Sequence, residues 1–480
     1  MGKFSIAPGS SVLQYCFGHP RSKGRPLCSV VFTLALAFAP VINGLAAEAT
    51  LPIPSKAEIR KIGDGYKLFV NGEPFFIKGA GLGLGRIDEL AACGGNSFRT
   101  WHTSAGPKGT QAMLDLASKK GLYVTLGLDV ARERHGFNYD DNAAVARQLE
   151  EIKTEVLKYK DHPAVIIWAI GNELNLDATN MKVWDAVNDI SKMIHQLDPN
   201  HLTTSPLAGV NAQVLSQIKV RAPDLDLLSV QVYADVVNTP GRLREAGWSG
   251  PYIITEWGAT GHWESRLTDW GAPLENDSTT KARLYRSRYE TSIAADHGQC
   301  LGSYAFLWGQ KQERTPTWYG VFLESGEATE SVDVLQFLWS GNWPANRSPR
   351  INGAWLDGKT SGESIRLKPG QAYPAKIAGS DPDGDPLAFS WEVLEESTAK
   401  SVGGDRESKP LALSDLIPNP NAEEINLTAP VRPGAYRLFA YLRDGKGHAA
   451  HLNIPFYVRA ESSGQPEATQ PLKTAQTKGE

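Results

Sequence analysis

Val165-Ile166-Ile167-Trp168-Ala169-Ile170-Gly171-Asn172-Glu173 is a run of six apolar residues that ends in a glycine and two polar side chains. The apolar residues are successive rather than alternate, so the run reads as a strand covered on both faces, the condition of a parallel sheet. Helical patterns flank it. Before it, Val145, Leu149, Ile152, Val156 and Tyr159 recur at spacings of three and four. After it, Val183, Val187, Ile190, Ile194 and Leu197 do the same, one apolar stripe per helix. The alternation extends in both directions. Further strand-like runs are Phe75–Ala80, Asn96–Trp101, Tyr123–Leu128, Leu202–Pro206, Leu227–Tyr233, Tyr252–Thr255 and Gly302–Trp308. Eight strands alternating with helices predict a (β/α)8 TIM barrel over residues 50–345. The rival, an open doubly wound sheet, usually carries a glycine-rich phosphate turn after its first strand. The Gly79–Gly85 stretch is glycine-rich but lacks that register.

The pattern changes near Asn346-Arg347-Ser348-Pro349. Short alternating runs and turn signals follow, and residues 346–460 read as a small all-β sandwich that is expected to add no catalytic group. Within it, Asp381, Asp383 and Asp385 could hold Ca²⁺ through oxygen ligands or could form an ordinary turn. Residues 461–480 hold one Leu and no aromatic residue and are expected to be disordered. At the other end, Arg21, Lys23 and Arg25 precede the apolar run Leu27–Ile42, and Ala47-Glu48-Ala49 offers a small-x-small cleavage site. Residues 1–49 therefore read as a signal peptide, which implies a secreted or periplasmic chain with no membrane span once the signal is removed. Of four cysteines, Cys16 and Cys28 lie in this leader, and no pair has the spacing of a thiolate metal site. Export permits a Cys93–Cys300 disulfide; two buried free thiols are the alternative.

The 480 residues are 41% hydrophobic and 21% charged, enough to build sizeable cores. A net charge of -4 supplies no basic field for nucleic acid. Thirteen Trp residues suit contacts with flat apolar faces such as sugar rings, although large aromatic cores use them too.

In a TIM barrel the chemistry sits at the C-terminal ends of the strands. Glu173 follows the fourth strand there, and Glu256, in Ile253-Ile254-Thr255-Glu256-Trp257-Gly258, follows the seventh. Two carboxyl groups at one rim are the equipment of glycoside hydrolysis: one protonated to meet the leaving oxygen, one ionised to attack the anomeric carbon.

Gly171-Asn172-Glu173 followed by Thr255-Glu256-Trp257-Gly258 resembles the retaining glycosidases of clan A, and most of all the catalytic barrel of glycoside hydrolase family 2. Phe69-Val70-Asn71-Gly72-Glu73-Pro74-Phe75-Phe76-Ile77-Lys78-Gly79 is similar to that family's entry into its first strand. Asn96-Ser97-Phe98-Arg99-Thr100-Trp101-His102 resembles its second-strand motif, and Ser229-Val230-Gln231-Val232-Tyr233 its sixth strand. Two features depart from the family. Only about 20 residues separate the leader from the first strand, where the family usually carries sandwich domains, and Trp101-His102-Thr103-Ser104 replaces a Ser-His-Tyr-Pro-like run.

The resemblance implies Glu173 as acid/base and Glu256 as nucleophile. It implies that Arg99 and Tyr233 serve Glu256, that Asn172 bonds the sugar 2-hydroxyl, and that Trp308 forms a platform under the sugar. His102 and Trp257 join these as candidate substrate contacts. The implied activity is hydrolysis of O-glycosidic bonds in a β-glycan or oligosaccharide, without metal or organic cofactor. A β-glucanosyltransferase using the same residues, and a non-catalytic glycan-binding protein, are the rivals.

Overall fold

The computed structural model describes residues 53–82, 85–103 and 109–460. The expected signal peptide and C-terminal tail lie outside these residues. The described residues form one compact unit.

The barrel strands are β1 (Ile77–Gly81), β2 (Ser97–Arg99), β3 (Tyr123–Leu128), β4 (Val165–Ile170), β5 (Leu202–Thr204, continued as Pro206–Ala208), β6 (Leu228–Gln231), β7 (Tyr252–Gly258) and β8 (Cys300–Phe306). All neighbours pair in parallel, and β8 returns to β1 with Gly302 opposite Ile77. The two halves of β5, split at Ser205, close the ring: Leu202 pairs with Ile167 of β4, and Pro206 with Ser229 of β6. The expected barrel is therefore present, and the open-sheet rival is not.

Helices follow the strands: α1 (Ile87–Ala92), α2 (Gly109–Lys119), α3 (Asn142–Tyr159), α4 (Lys182–Leu197), α5 (Ala212–Arg221), α6 (Thr239–Glu245), α7 (Ser278–Arg288) and α8 (Glu330–Ser340). The apolar stripe of α4 is buried through Val183, Val187, Ile190 and Ile194. At the start of α3, the Asp141 carboxylate accepts bonds from the backbone N–H groups of Ala143 and Ala144, satisfying donors that the helix itself leaves open. Both faces of the parallel strands are thus covered, as their unbroken apolar sequences require.

Three short antiparallel strands (Ala57–Ile62, Gly65–Val70, Glu73–Phe75) precede the barrel and cover its N-terminal end. Ala57, Leu68 and Val70 share one buried cluster with Ile77, Ile167, Ile253 and Leu301. With that end plugged, the opposite rim is the one left open for a ligand.

Beyond α8 lie β9 (Arg350–Leu356), β10 (Ile365–Leu367), β11 (Ala372–Ser380), β12 (Ala388–Glu395), β13 (Ala412–Leu413), β14 (Glu424–Thr428), β15 (Gly434–Arg443) and β16 (Ala449–Val458). They form two sheets, ordered β9-β11-β14 and β10-β16-β15-β12-β13. Ile377 and Leu427 of the first sheet and Leu438, Leu452 and Phe456 of the second share one core, so the two sheets pack as a sandwich. The sandwich is joined to the barrel by polar groups as well as by chain. Glu275, buried at the junction, accepts hydrogen bonds from Lys281, Thr315 and Thr317 of the barrel and from Asn453 of β16. The charged Lys281 counters the burial of Glu275 and holds its carboxyl down at about 2.

The three aspartates lie close together, their carboxylates within 4.8 Å of one another. Asp381 Oδ1 accepts from the backbone N–H groups of Asp383 and Asp385, and Lys446 pairs with Asp385. Turn hydrogen bonds and a lysine thus already engage the cluster.

The disulfide expectation is corrected: Cys93 and Cys300 are buried free thiols. Cys93 caps the C-terminus of α1, with Glu89 and Asp333 as its charged neighbours. Cys300 opens β8 beside Tyr252 and Asp296. The two occupy different surroundings, and burial pushes each thiol up to about 12.

Candidate active site

At the open rim the chain leaves β4 through Gly171, whose φ is +70° and whose missing Cβ would lie 2.7 Å from the Leu174 side chain. Glu173 follows, also in the left-handed region at φ +52°, with its N–H donating to Pro206 O in β5 at 2.8 Å. A sharp turn braced by the neighbouring strand thus sets the Glu173 side chain in the mouth of the barrel. Glu256 needs no turn, because it lies inside β7 itself.

Four donors converge on the Glu256 carboxylate. Trp101 Nε1 donates to Oε1 at 2.8 Å, Gln231 Nε2 to Oε1 at 3.1 Å and Arg99 Nη1 to Oε1 at 3.3 Å. Tyr233 donates its hydroxyl to Oε2 at 2.8 Å. Burial, and then the charge of Glu256, hold the Tyr233 hydroxyl well above its ordinary value, which keeps it a donor. Arg99 is fully buried and also donates through Nη2 to Asn172 Oδ1 at 2.7 Å, where Gln231 Nε2 donates as well. With Oδ1 so engaged, Asn172 has its NH2 group to offer a ligand.

Glu173 is surrounded differently. Among the described residues no hydrogen bond acts on its carboxyl; burial, and then the neighbouring Glu256 charge, push it up to about 8. Arg134, Arg99 and Arg132 oppose that rise. One site therefore holds an acceptor saturated with donors and a carboxyl pushed toward its protonated form.

Both carboxyls line a cavity of about 690 Å³, together with His102, Asn172 and Tyr233. Phe306, the last residue of β8, lies in its wall. Phe306 makes edge contacts with Trp101 at 5.9 Å and Tyr233 at 5.9 Å. Trp263 stands at the mouth, 60% exposed and edge-on to Tyr233 at 5.3 Å.

Two expected substrate contacts are corrected. Trp257 is wholly buried, and its ring packs 5.2 Å from Tyr285 and 5.8 Å from Tyr289, on the helix side of the sheet. Successive residues of a strand point to opposite faces, so Trp257 must face away from the cavity that Glu256 faces. Trp308 reaches the cavity wall but is 2% exposed, with its ring against Phe322 at 5.3 Å and Trp339 at 5.7 Å. That ring belongs to the core and cannot form a sugar platform. Sequence reasoning had left Gln231, Phe306 and Arg132 out of the site. Trp101 entered only as part of the second-strand motif, and Trp263 only in the count of thirteen Trp residues.

The family model of the TIM-barrel domain of glycosyl hydrolases family 2 matches residues 86–269, a span that includes Arg99, Glu173 and Glu256. Over that span the barrel is similar to the TIM-barrel domain of that family. A β-glucuronidase of Paenibacillus borealis is 24% identical over 257 residues, covering 48% of this chain and 41% of that protein. A β-galactosidase of Arthrobacter sp. (strain B7) is 30% identical over 110 residues, 21% of this chain and 10% of that protein. The chain thus spans less than half the length of these curated relatives. Among solved structures, the β-glucuronidase of Bifidobacterium dentium complexed with coumarin-3-O-glucuronide aligns with a TM-score of 0.45 and 18% identity, covering 59% of this chain and 49% of that one. The β-D-glucuronidase of Dictyoglomus thermophilum aligns with a TM-score of 0.47 and 19% identity, covering 60% and 54%. On the family 2-like barrel, the match region ends at residue 269, before β8, α8 and the sandwich.

Proposed function

We propose that this chain is a retaining β-glycoside hydrolase that works by double displacement, with Glu256 as nucleophile and Glu173 as acid/base. The observation that carries the reading is the unequal setting of the two carboxyls in one cavity. Glu256 receives four hydrogen bonds and faces a buried guanidinium, a setting for an acceptor-only anion. Glu173 receives none and is held up at about 8, a setting for a proton donor. In the first step Glu256 Oε attacks the anomeric carbon while the Glu173 proton passes to the departing glycosidic oxygen, leaving a glycosyl ester on Glu256. In the second step Glu173, now ionised, takes a proton from water as that water attacks the same carbon, and the Glu256 carboxylate leaves. In this reading the Asn172 NH2 group bonds a sugar hydroxyl, and exposed Trp263 stacks on a ring. The substrate is a carbohydrate with a β-linked O-glycoside. The relatives that act on β-glucuronides and β-galactosides support that class.

The test is a panel of aryl β-glycosides and β-glycans, with the anomeric configuration of the first product read by proton NMR. A first product of retained configuration is expected. An inverted one removes the covalent step, and a carboxyl separation of roughly 9 Å instead of about 5–5.5 Å does the same. We also infer export, from the basic and then apolar leader. N-terminal sequencing of secreted or periplasmic protein should begin after Ala49, and a mature chain that still carries the leader refutes it.

A further inference from the structure

Residues 396–411 connect β12 to β13 and contain no helix or strand. Connections of this length inside a compact fold usually have a function. This one leaves the sandwich and reaches the cavity of the barrel, where Gly403, Gly404, Asp405 and Arg406 form part of the wall. The sandwich, expected to add no catalytic group, thus supplies part of the cavity wall.

The barrel holds the segment with three cations. Arg134, after β3, grips Asp405 with Nη1 and Nη2, at 2.7 and 3.2 Å. Lys311, after β8, donates to Gly404 O at 2.7 Å. Arg314, from the same connection, donates its backbone N–H to Glu407 Oε2 at 2.7 Å and its side chain to Ala399 O and Ser401 O. The Glu407 side chain is fully buried under these contacts. Paired glycines then let the backbone come up to the catalytic rim. Gly403 has φ +59°, and a Cβ added there would lie 3.0 Å from Glu173 Oε2 and 2.9 Å from Arg134 Nη2. The segment therefore abuts Glu173, whereas the contacts of Glu256 all come from β2, β6 and their exits.

We propose that the 396–411 segment is the leaving-group wall of the active site, with Asp405 as the positioning residue that locks it and Gly403 as the residue that sets how large a leaving group passes. The proposal rests on the assignment of Glu173 as acid/base, because the acid stands beside the departing oxygen and what abuts it borders the leaving group. Arg406, exposed and without an ion-pair partner among the described residues, lines the same wall and favours leaving groups that carry negative charge. The wall also narrows the access of water to Glu173, which is half-buried beside it. The charged groups that act on that carboxyl are Glu256, Arg134, Arg99 and Arg132, and Asp405 on the segment balances Arg134.

The test uses the full chain carrying Asp405→Ala or Gly403→Val, each checked for an unchanged melting temperature. Loosening the segment wets Glu173 and frees the Arg134 charge, and both effects favour its ionised form. The alkaline fall of kcat/KM, which follows loss of the Glu173 proton, should then move to lower pH. Specificity should move too. For a β-glycoside with a large or acidic sugar as leaving group, Asp405→Ala should lower kcat/KM by about tenfold. For a small activated aryl glycoside the loss should stay within about threefold. Gly403→Val should raise KM for large leaving groups more than it lowers kcat. Equal losses on every substrate with an unmoved pH profile would mean that the segment only braces the fold, and the proposal falls. A wild-type chain inert on the whole β-glycoside panel would instead overturn the hydrolase reading on which the proposal depends.

Discussion

Removing the Glu173 carboxyl should sort substrates by their leaving groups. At neutral pH the wild-type group is favoured in its acid form, because burial and then the Glu256 charge push it up to about 8. That proton matters only when the departing oxygen is basic. General acid help is typically worth about 10²–10⁴ in rate, or roughly 3–5 kcal/mol. Glu173→Ala should therefore slow an alkyl or sugar leaving group by about that factor, while a dinitrophenyl leaving group, already stable as an anion, departs with a loss of less than about tenfold. With such an activated substrate the glycosyl-enzyme should accumulate, because the second step has lost its base. Azide should then accelerate turnover and give a glycosyl azide of retained configuration. The pH profile supplies the sign. The carboxyl is raised and must be protonated to act, so wild-type kcat/KM should hold through neutrality and fall as pH rises past about 8. In Glu173→Ala with the activated substrate that fall should vanish. The assay is steady-state kinetics across a series of aryl β-glycosides, with product configuration by NMR. Losses equal for every leaving group, an unchanged alkaline limb and no response to azide would refute the assignment.

Three other outcomes are expected. Glu256→Ala should abolish turnover of all substrates, and azide should restore activity on activated glycosides with a product of inverted configuration; a retained product would mean that the two roles are exchanged. Trp263→Ala removes a side chain that is 60% exposed, so the melting temperature should stay put. KM should rise about three- to tenfold, matching the roughly 0.5–1.5 kcal/mol of an aromatic contact, and an unchanged KM denies Trp263 a part in binding. Cys93 and Cys300, buried thiols pushed up to about 12, should resist Ellman's reagent in native protein and react after unfolding without prior reduction. A requirement for reductant would point to a disulfide.

What the sequence made legible, and what it hid, follows from the range of the forces involved. The unbroken apolar run before Glu173 and the one before Glu256 record strands covered on both faces, and the helical stripes between them record one buried side each. Those local patterns suffice for a barrel and place two carboxyls at its rim. Strand parity carried further information. Trp101 lies two residues beyond Arg99, and Gln231 two before Tyr233. Residues two apart share a face, so both were marked as partners of Glu256 by the same alternation that sends Trp257 to the other side. Trp308 breaks that rule: it too lies two residues beyond the end of its strand, yet the chain turns its ring into the core. The sandwich segment was beyond any local rule. Arg134 and Asp405 are 271 positions apart, and nothing in the turn-rich sequence around Gly403-Gly404 states which surface it will meet. Its partners are barrel cations on two different connections, and each alone reads as an ordinary exposed charge. Only the folded chain brings them together around the segment, and sets Arg134 and Gly403 beside a carboxyl whose proton the proposed reaction uses. In that sense the fold of the catalytic barrel is written in short periodicities. The walls that decide what enters it are written in pairs of residues hundreds of positions apart.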